Sequence, residues 1–254
     1  MDCARSLESR LIIDRLREAG FVAYLAGGCV RDALLNLEPK DFDVATNATP
    51  QAVRDLFGKK RTLAFGASFG VIGVLPPLDG RRESLSVEPT EVATFRSDGD
   101  YSDGRRPDSV HFGDAEQDAL RRDFTINGLF YDPQHHEVID FVDGTTDINQ
   151  EILRTIGKPW DRFAEDKLRM LRAVRFATTL DFEIEKSTLC AIQEHADDIT
   201  MVSAERIGAE MRRVLSSPNA AGGLRQLNLC GLTNAVLPEL KHADLRRFRG
   251  LIAP

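Results

Sequence analysis

The sequence predicts a mixed α/β fold of the α+β class. Short apolar runs alternate with segments of helical period through the first part of the chain, with glycine or proline at most of the changes. From Asp114 onward helical periodicity dominates. The 254 residues are 42% hydrophobic, enough to bury a core.

Leu7 to Gly20 reads as an amphipathic helix, because Leu7, Leu11, Ile12 and Leu16 recur at helical spacing and Gly20 stands at the C-terminal stop. Phe21 to Leu25 is an apolar run before Gly27-Gly28 and predicts a buried strand. Val30 to Leu37 predicts a second helix, ended before Pro39, and Asp41 to Ala45 the next strand. Thr49 and Pro50 supply the N-cap and first position of a helix that reaches Phe57. Leu63 to Leu75, interrupted by glycines, predicts a hairpin. Val92 to Phe95 and Ser109 to Phe112 read as strands on either side of a polar loop, Arg96 to Asp108. A hairpin near Asp132-Pro133 to Val142 breaks the later helical pattern. Arg162 to Leu180 reads as one long helix, followed by Ser187 to Ala196 and Ser203 to Ser216. Ser216-Ser217-Pro218 is a break before a helical unit that starts at Ala220. No internal repeat or low-complexity segment interrupts this order.

Composition excludes several classes. No apolar run approaches the roughly 18 residues of a membrane helix. Met1 to Arg10 carries charges without an apolar stretch, which argues against a signal peptide. Cys3, Cys29, Cys190 and Cys230 lie far apart, form no CxxC pair, and fit a reducing, cytoplasmic setting. Lys and Arg number 33 against 40 Asp and Glu, a net charge of −7, so any nucleic-acid contact has to use a local basic track.

The strongest chemical signal is Leu25-Ala26-Gly27-Gly28-Cys29-Val30-Arg31-Asp32, followed by Asp41-Phe42-Asp43. Two glycines at a strand-to-helix turn let backbone approach a ligand closely, and Arg31, one turn into the helix, can reach a phosphate. Asp41 and Asp43, alternate residues of a strand, share a face. Two carboxylates on one face suit a pair of Mg²⁺ ions, with phosphate oxygens completing the coordination. Asp123 and Asn127, four apart in Arg122-Asp123-Phe124-Thr125-Ile126-Asn127, predict one helix face, with Phe124 and Ile126 turned to the core. Asp166 and Arg169, three apart, predict one face of the long helix, and Arg172 and Arg175 continue it. His135-His136 reads as a solvated turn and Trp160 as a packing residue.

The segment from Leu25 to Pro50, with RRDFTINGLFYD, VIDFVDGTTDI, RFAEDKLRMLRAVRFA and SAERIGAEMRRVL, resembles the class II tRNA nucleotidyltransferase and bacterial poly(A) polymerase family, part of the polymerase β-like nucleotidyltransferase superfamily. The five motifs run in the family's order over nearly the whole chain. The resemblance implies a catalytic head over residues 1–150, a helical neck over 151–216 and the start of a helical body over 217–254. It implies addition of C and A from CTP and ATP to the 3′ end of tRNA, with two Mg²⁺ ions held by Asp41 and Asp43 and pyrophosphate as product. Addition of A alone and poly(A) synthesis are the alternatives; a non-catalytic RNA-binding relative is more remote. Gly27, Gly28, Arg31, Arg122, Asp123 and Asn127 are implied to hold the nucleotide, Arg122 at the phosphates and Asp123 and Asn127 on the sugar side. Glu165, Asp166 and Arg169 are implied to read the base as a protein template, with Arg172 and Arg175 meeting phosphates. Arg96 to Pro107, with Asp103, Arg105 and Arg106, resembles the flexible loop needed for terminal A addition. Glu91 is a further candidate acid, and Lys241, Arg246, Arg247 and Arg249 form a small basic patch. Full-length relatives are expected to carry more body and tail than follows GLTNAVLPEL here, and tRNA binding without them is expected to be weak.

Overall fold

The computed structural model describes residues 4–76, 88–99, 101 and 107–239. The chain divides into two compact units, residues 1–99 with 108–148, and residues 149–254 with 100–107. The mixed α+β class read from the sequence is what the chain adopts. Among the described residues no helix is long and apolar enough to cross a membrane.

The first unit contains, in order, α1 (Ala4–Glu18), β1 (Ala23–Ala26), α2 (Gly28–Leu34), β2 (Asp43–Thr46), α3 (Pro50–Phe57), β3 (Thr62–Gly66), β4 (Val71–Val74), β5 (Thr90–Thr94), β6 (Arg96–Asp98), β7 (Val110–Phe112), α4 (Ala115–Leu120), β8 (Phe130–Asp132), β9 (Glu137–Ile139) and α5 (Gly144–Asn149). Seven strands form one sheet in the order β3-β4-β5-β2-β1-β8-β9, and β6 pairs with β7 apart from it. Only β2 and β5 are parallel neighbours; the other pairs in this sheet are antiparallel.

Local chemistry explains several boundaries. The Thr49 hydroxyl accepts from the Ala52 N–H at 3.2 Å and Pro50 follows, so α3 starts where the sequence predicts. Asp114 and Gln117 close a reciprocal capping box on α4. Phe95, Phe130 and Tyr24 meet under α4, with Phe95 and Phe130 edge to face at 5.9 Å, and Ala119 gives them room.

The second unit contains β10 (Ile152–Leu153), α6 (Pro159–Glu165), α7 (Leu168–Leu180), β11 (Glu183–Ile184), α8 (Lys186–His195), α9 (Ala204–Leu215), α10 (Ala220–Leu229) and α11 (Thr233–Val236). Met170, Leu171, Ala173 and Val174 are fully buried on α7, which packs against α9 and α10.

Four expectations need correction. β2 begins at Asp43, so Asp41 lies ahead of the strand, although the alternation survives: Asp41 is exposed, Phe42 buried and Asp43 half-buried. The first residues of the expected polar loop, Arg96 to Asp98, are a strand, because they pair with Val110 to Phe112. Asp123 and Asn127 do not share an α-helix, since only Thr125 to Asn127 form a single 3-10 turn. Finally, Arg162 to Leu180 is two helices. Asp166 takes an extended conformation after α6, and its Oδ1 accepts from the Leu168 N–H at 3.0 Å, which starts α7.

Candidate active site

Strand register gathers the first group of candidates at one end of the sheet. Ala26, the last residue of β1, pairs with Asp43, the first of β2, and with Phe130 of β8. Val44 pairs in parallel with Val92, so Asp43 and Glu91, each one residue earlier, lie side by side. Gly27, Asp43 and Glu91 therefore share one sheet end with the residues that lead into β8.

Gly27 shapes this end. Its φ is +72°, and a Cβ there would lie 2.8 Å from Arg122 Nη1. Only glycine combines that backbone with that close approach. Gly27 N–H donates to the Leu129 carbonyl at 2.9 Å, tying the turn to the approach of β8. Arg122 Nη1 donates to the Asn127 carbonyl at 3.0 Å, and Nη2 to Asp118 Oδ2 at 2.9 Å. Arg31 is buried and donates to Asn127 Oδ1 and to Asp32, both at 2.6 Å. Asn127 Nδ2 donates to Asp123 Oδ1 at 3.1 Å, so these two side chains meet without the predicted helix.

Asp41, Phe42, Asp43 and Glu91 line a cleft of about 370 Å³ with Glu8, Glu88, Pro89 and Thr90. Burial pushes the Asp43 carboxyl up to about 6, Glu91 and Asp41 push it the same way, and Arg122 opposes them. The donors this cleft offers are hard carboxylate oxygens, which fit Mg²⁺. Among the described residues no group of three or more His, Cys, Asp or Glu is arranged to hold a metal. An ion at Asp41 and Asp43 would thus take further ligands from phosphate or water. Cys29, on the glycine turn, is no competing nucleophile, since burial, helped by the Asp43 charge, pushes its thiol up to about 12.

The second group lies around the α6–α7 junction. Glu165 accepts from Arg162 Nη1 at 3.0 Å and also pairs with Arg169 Nη1. Arg169 donates again to the Arg162 carbonyl at 3.1 Å and is 9% exposed. Asp166 Oδ2 accepts from Arg206 Nη2, on α9, at 2.7 Å. Arg175 pairs with Glu210 at 2.8 Å and lies 3.9 Å from the Phe176 ring centre, with Arg172 at 5.5 Å from the same centre. Asp103, Arg105, Arg106 and the basic patch at 241–249 lie outside the described residues.

Sequence reading did not single out Glu8, Glu88, Asp118 or Arg206. Glu8 and Glu88 resemble surface acids, and only folding brings them to the cleft. Arg206 stands inside the SAERIGAEMRRVL motif, but its partner is 40 positions away.

The profile of the poly A polymerase head domain matches residues 23–154, just over half the chain. The chain belongs to the poly A polymerase head-domain family. A second profile, the probable RNA- and SrmB-binding site of polymerase A, matches residues 181–244. The resemblance read from the five motifs thus holds. Among curated proteins, the chain is 42% identical to a CCA-adding enzyme of Enterococcus faecalis over 218 residues, 85% of this chain and 51% of that enzyme. It is 39% identical to one from Lactococcus lactis over 242 residues, 95% of this chain and 58% of that enzyme. The chain therefore spans about half the length of the curated relatives it matches. The Bacillus stearothermophilus CCA-adding enzyme in complex with CTP superposes with a TM-score of 0.81 at 37% identity, covering 95% of this chain and 56% of that one. A tRNA nucleotidyltransferase with a primer tRNA and an incoming ATP analogue shares the fold, with a TM-score of 0.71 at 23% identity, covering 89% of this chain and 62% of that one.

Proposed function

We propose that this chain performs template-independent nucleotidyl transfer, adding C and A residues from CTP and ATP to the 3′ end of tRNA with release of pyrophosphate. The observation that carries the reading is the acidic cleft around Asp43, set beside a glycine turn and an arginine held against it. Asp41 and Asp43 would hold two Mg²⁺ ions. Ions held there would lower the pKa of the attacking 3′-hydroxyl and would neutralise charge developing on the triphosphate. The protein's own contribution is positional. The Gly27–Gly28 turn lets backbone come close to the triphosphate, while Arg122, braced by Asp118, supplies fixed donors for it. Arg31 and Asp123 orient Asn127, which we assign to the sugar side.

Residues 1–150 serve in this reading as the catalytic head, 151–216 as the neck and 217–254 as the beginning of the body. Glu165, Asp166 and Arg169 select the base. A carboxylate and a guanidinium held by their own partners offer an acceptor and a donor in fixed geometry. A mismatched base edge leaves such groups unpaired, which is a strong basis for rejection. The flexible-loop role of Asp103, Arg105 and Arg106 and the phosphate role of Arg172 and Arg175 belong to the same proposal. CTP and CCA addition in the relatives support CCA addition over poly(A) synthesis.

The test uses tRNA transcripts ending at the discriminator base, at C and at CC, incubated with Mg²⁺ and each labelled nucleotide separately and with CTP and ATP together. Stepwise addition of C, C and A that then stops is the expected result. A alone on the CC end would make it an A-adding enzyme, and a long A ladder a poly(A) polymerase. Absence of addition together with absence of nucleotide binding would overturn the enzymatic reading.

A further inference from the structure

Asp118 is fully buried on α4 and joins two groups of side chains. Its Oδ2 accepts from Arg122 Nε and Nη2 at 3.2 and 2.9 Å. Its Oδ1 accepts from Arg121 Nε at 2.9 Å and from the Arg96 backbone N–H at 3.3 Å. Arg96 opens β6 and pairs across to Phe112, so Asp118 is bonded directly to the β6–β7 ribbon. The ribbon adds its own links. Arg96 Nε donates to Asp98 Oδ1 at 2.9 Å, its Nη1 donates to the Phe69 carbonyl, and Arg121 approaches Asp98 Oδ2 to 3.8 Å.

On the other side Arg122 is fixed in plane. It bonds Asp118 twice and the Asn127 carbonyl once, lies 5.0 Å from the Phe130 ring centre, and occupies the space a side chain at position 27 would need. These bonds use three of a guanidinium's five donors. Burial by itself would raise the Asp118 carboxyl, but the Arg122 and Arg121 charges and hydrogen bonds together outweigh it and hold it below the usual carboxylate range. Among the described residues, Asp98 and Asp118 face the guanidinium groups of Arg96, Arg121 and Arg122.

We propose that Asp118 is a positioning residue that transmits the pairing of the β6–β7 ribbon to the Arg122 guanidinium, and so sets how that arginine presents its donors to a triphosphate. The proposal rests on the reading of Arg122 as a triphosphate-facing group. One carboxylate serves both sides, one oxygen to each, so a change at the ribbon turns the carboxylate and with it the guanidinium.

The test has a readout that needs no nucleotide: the side-chain Nε–H resonances of ¹⁵N-labelled arginines in the full chain. Asp98→Asn alters the ribbon without touching Arg122. It is expected to shift the Arg122 Nε–H resonance and to weaken CTP binding in Mg²⁺ by about threefold, the size of coupling between residues in one network. Asp118→Asn is expected to move the Arg122 resonance toward those of exposed arginines and to weaken CTP binding about tenfold, in line with a lost charge-assisted hydrogen bond. Asp98→Asn added to Asp118→Asn then has no further effect, and Asp118→Glu restores part of the binding. An Arg122 resonance indifferent to Asp98→Asn, or still responsive to it in Asp118→Asn, overturns the proposal. Should Asp118→Asn fail to fold, Asp98→Asn in the wild-type chain decides alone. Resonances that couple in a chain that does not bind CTP uphold the transmission and sink the triphosphate reading; CTP binding without coupling does the reverse.

Discussion

Asp43 keeps like-charged company, whereas Glu165 and Asp166 each meet a guanidinium. At the sheet end, burial together with Glu91 and Asp41 pushes Asp43 up to about 6. At the α6–α7 junction, Arg162 and Arg169 share Glu165, and Arg206 holds Asp166. The same functional group thus sits in two electrostatic settings. Carboxylates whose charge is in excess are suited to collecting a cation and ready to gain stability from it. Carboxylates already paired are rigid hydrogen-bonding groups whose charge is spoken for, which suits them to reading a neutral base edge.

The largest expected effect breaks the first setting. Asp41→Ala should lower nucleotidyl transfer at least about a thousandfold, the several kcal/mol that metal-assisted charge stabilisation supplies. Its thermal melt should stay within a degree or two of the wild type, because Asp41 is exposed and surface substitutions change stability little. Asp43→Asn sharpens the contrast. It too should abolish transfer, yet melt at or above the wild-type temperature, since it removes a charge that its neighbours oppose. A clear drop in melting temperature for Asp43→Asn would show that the acidic cleft is not under electrostatic strain.

The second setting predicts a different profile. Arg169→Ala should reduce discrimination of CTP and ATP against UTP and GTP by about 10- to 100-fold, while triphosphate affinity changes less. It also strips Glu165 of one partner, so Arg169→Lys, which keeps the charge but loses the fork, should recover the melting temperature more fully than the selectivity. Unchanged selectivity in Arg169→Ala, measured with each nucleotide in single-addition assays, would remove the base-reading role.

The sheet-end site was legible because its parts are local: two glycines, an arginine one turn on, and acids two apart. Thr49-Pro50 was legible for the same reason. The α6–α7 break was not. Phe163, Leu168, Met170 and Leu171 carry a helical stripe without proline or glycine, and what stops the helix is Asp166 bonding the Leu168 N–H and reaching Arg206. Asp123 and Asn127 have helical spacing, yet a 3-10 turn and a direct side-chain bond bring them together. Arg96 to Asp98 lacks apolar alternation, so its pairing with β7 had no signature. Asp118 looks like one more acid on a charged helix until its total burial is known.

The glycine turn that leaves room for Arg122 gives a smaller effect. Gly27→Ala places a side chain on a backbone with φ of +72° and within 2.8 Å of Arg122 Nη1. Strain of this kind costs about 1–3 kcal/mol. The variant should lose melting temperature and bind CTP more weakly, whereas Gly20→Ala, also at positive φ but with no atom within 4 Å, should lose stability alone. Equal loss of CTP affinity in both would detach the turn from the site.

The smallest expected effect isolates a paired carboxylate away from any nucleotide. Glu185 caps α8, accepting from the Thr188 N–H at 2.8 Å and from the Ser187 hydroxyl at 2.8 Å. Partial burial alone would raise its carboxyl, but the backbone N–H groups and hydroxyls of Ser187 and Thr188 bring it from 4.5 down to about 2. Because the folded value is the lower one, the stabilisation is fully present above about pH 4.5 and is lost as pH falls through about 2. Glu185→Ala should therefore cost about 1 kcal/mol at neutral pH, as a lost helix cap does. The gap between the urea midpoints of variant and wild type should close progressively between pH 4.5 and pH 2. Glu185→Gln, which keeps an acceptor without the charge, should start from a smaller gap and change little over the same range. A gap for Glu185→Ala that is as wide at pH 2.5 as at pH 7 would mean that packing, and not the ionised carboxylate, supports the start of α8.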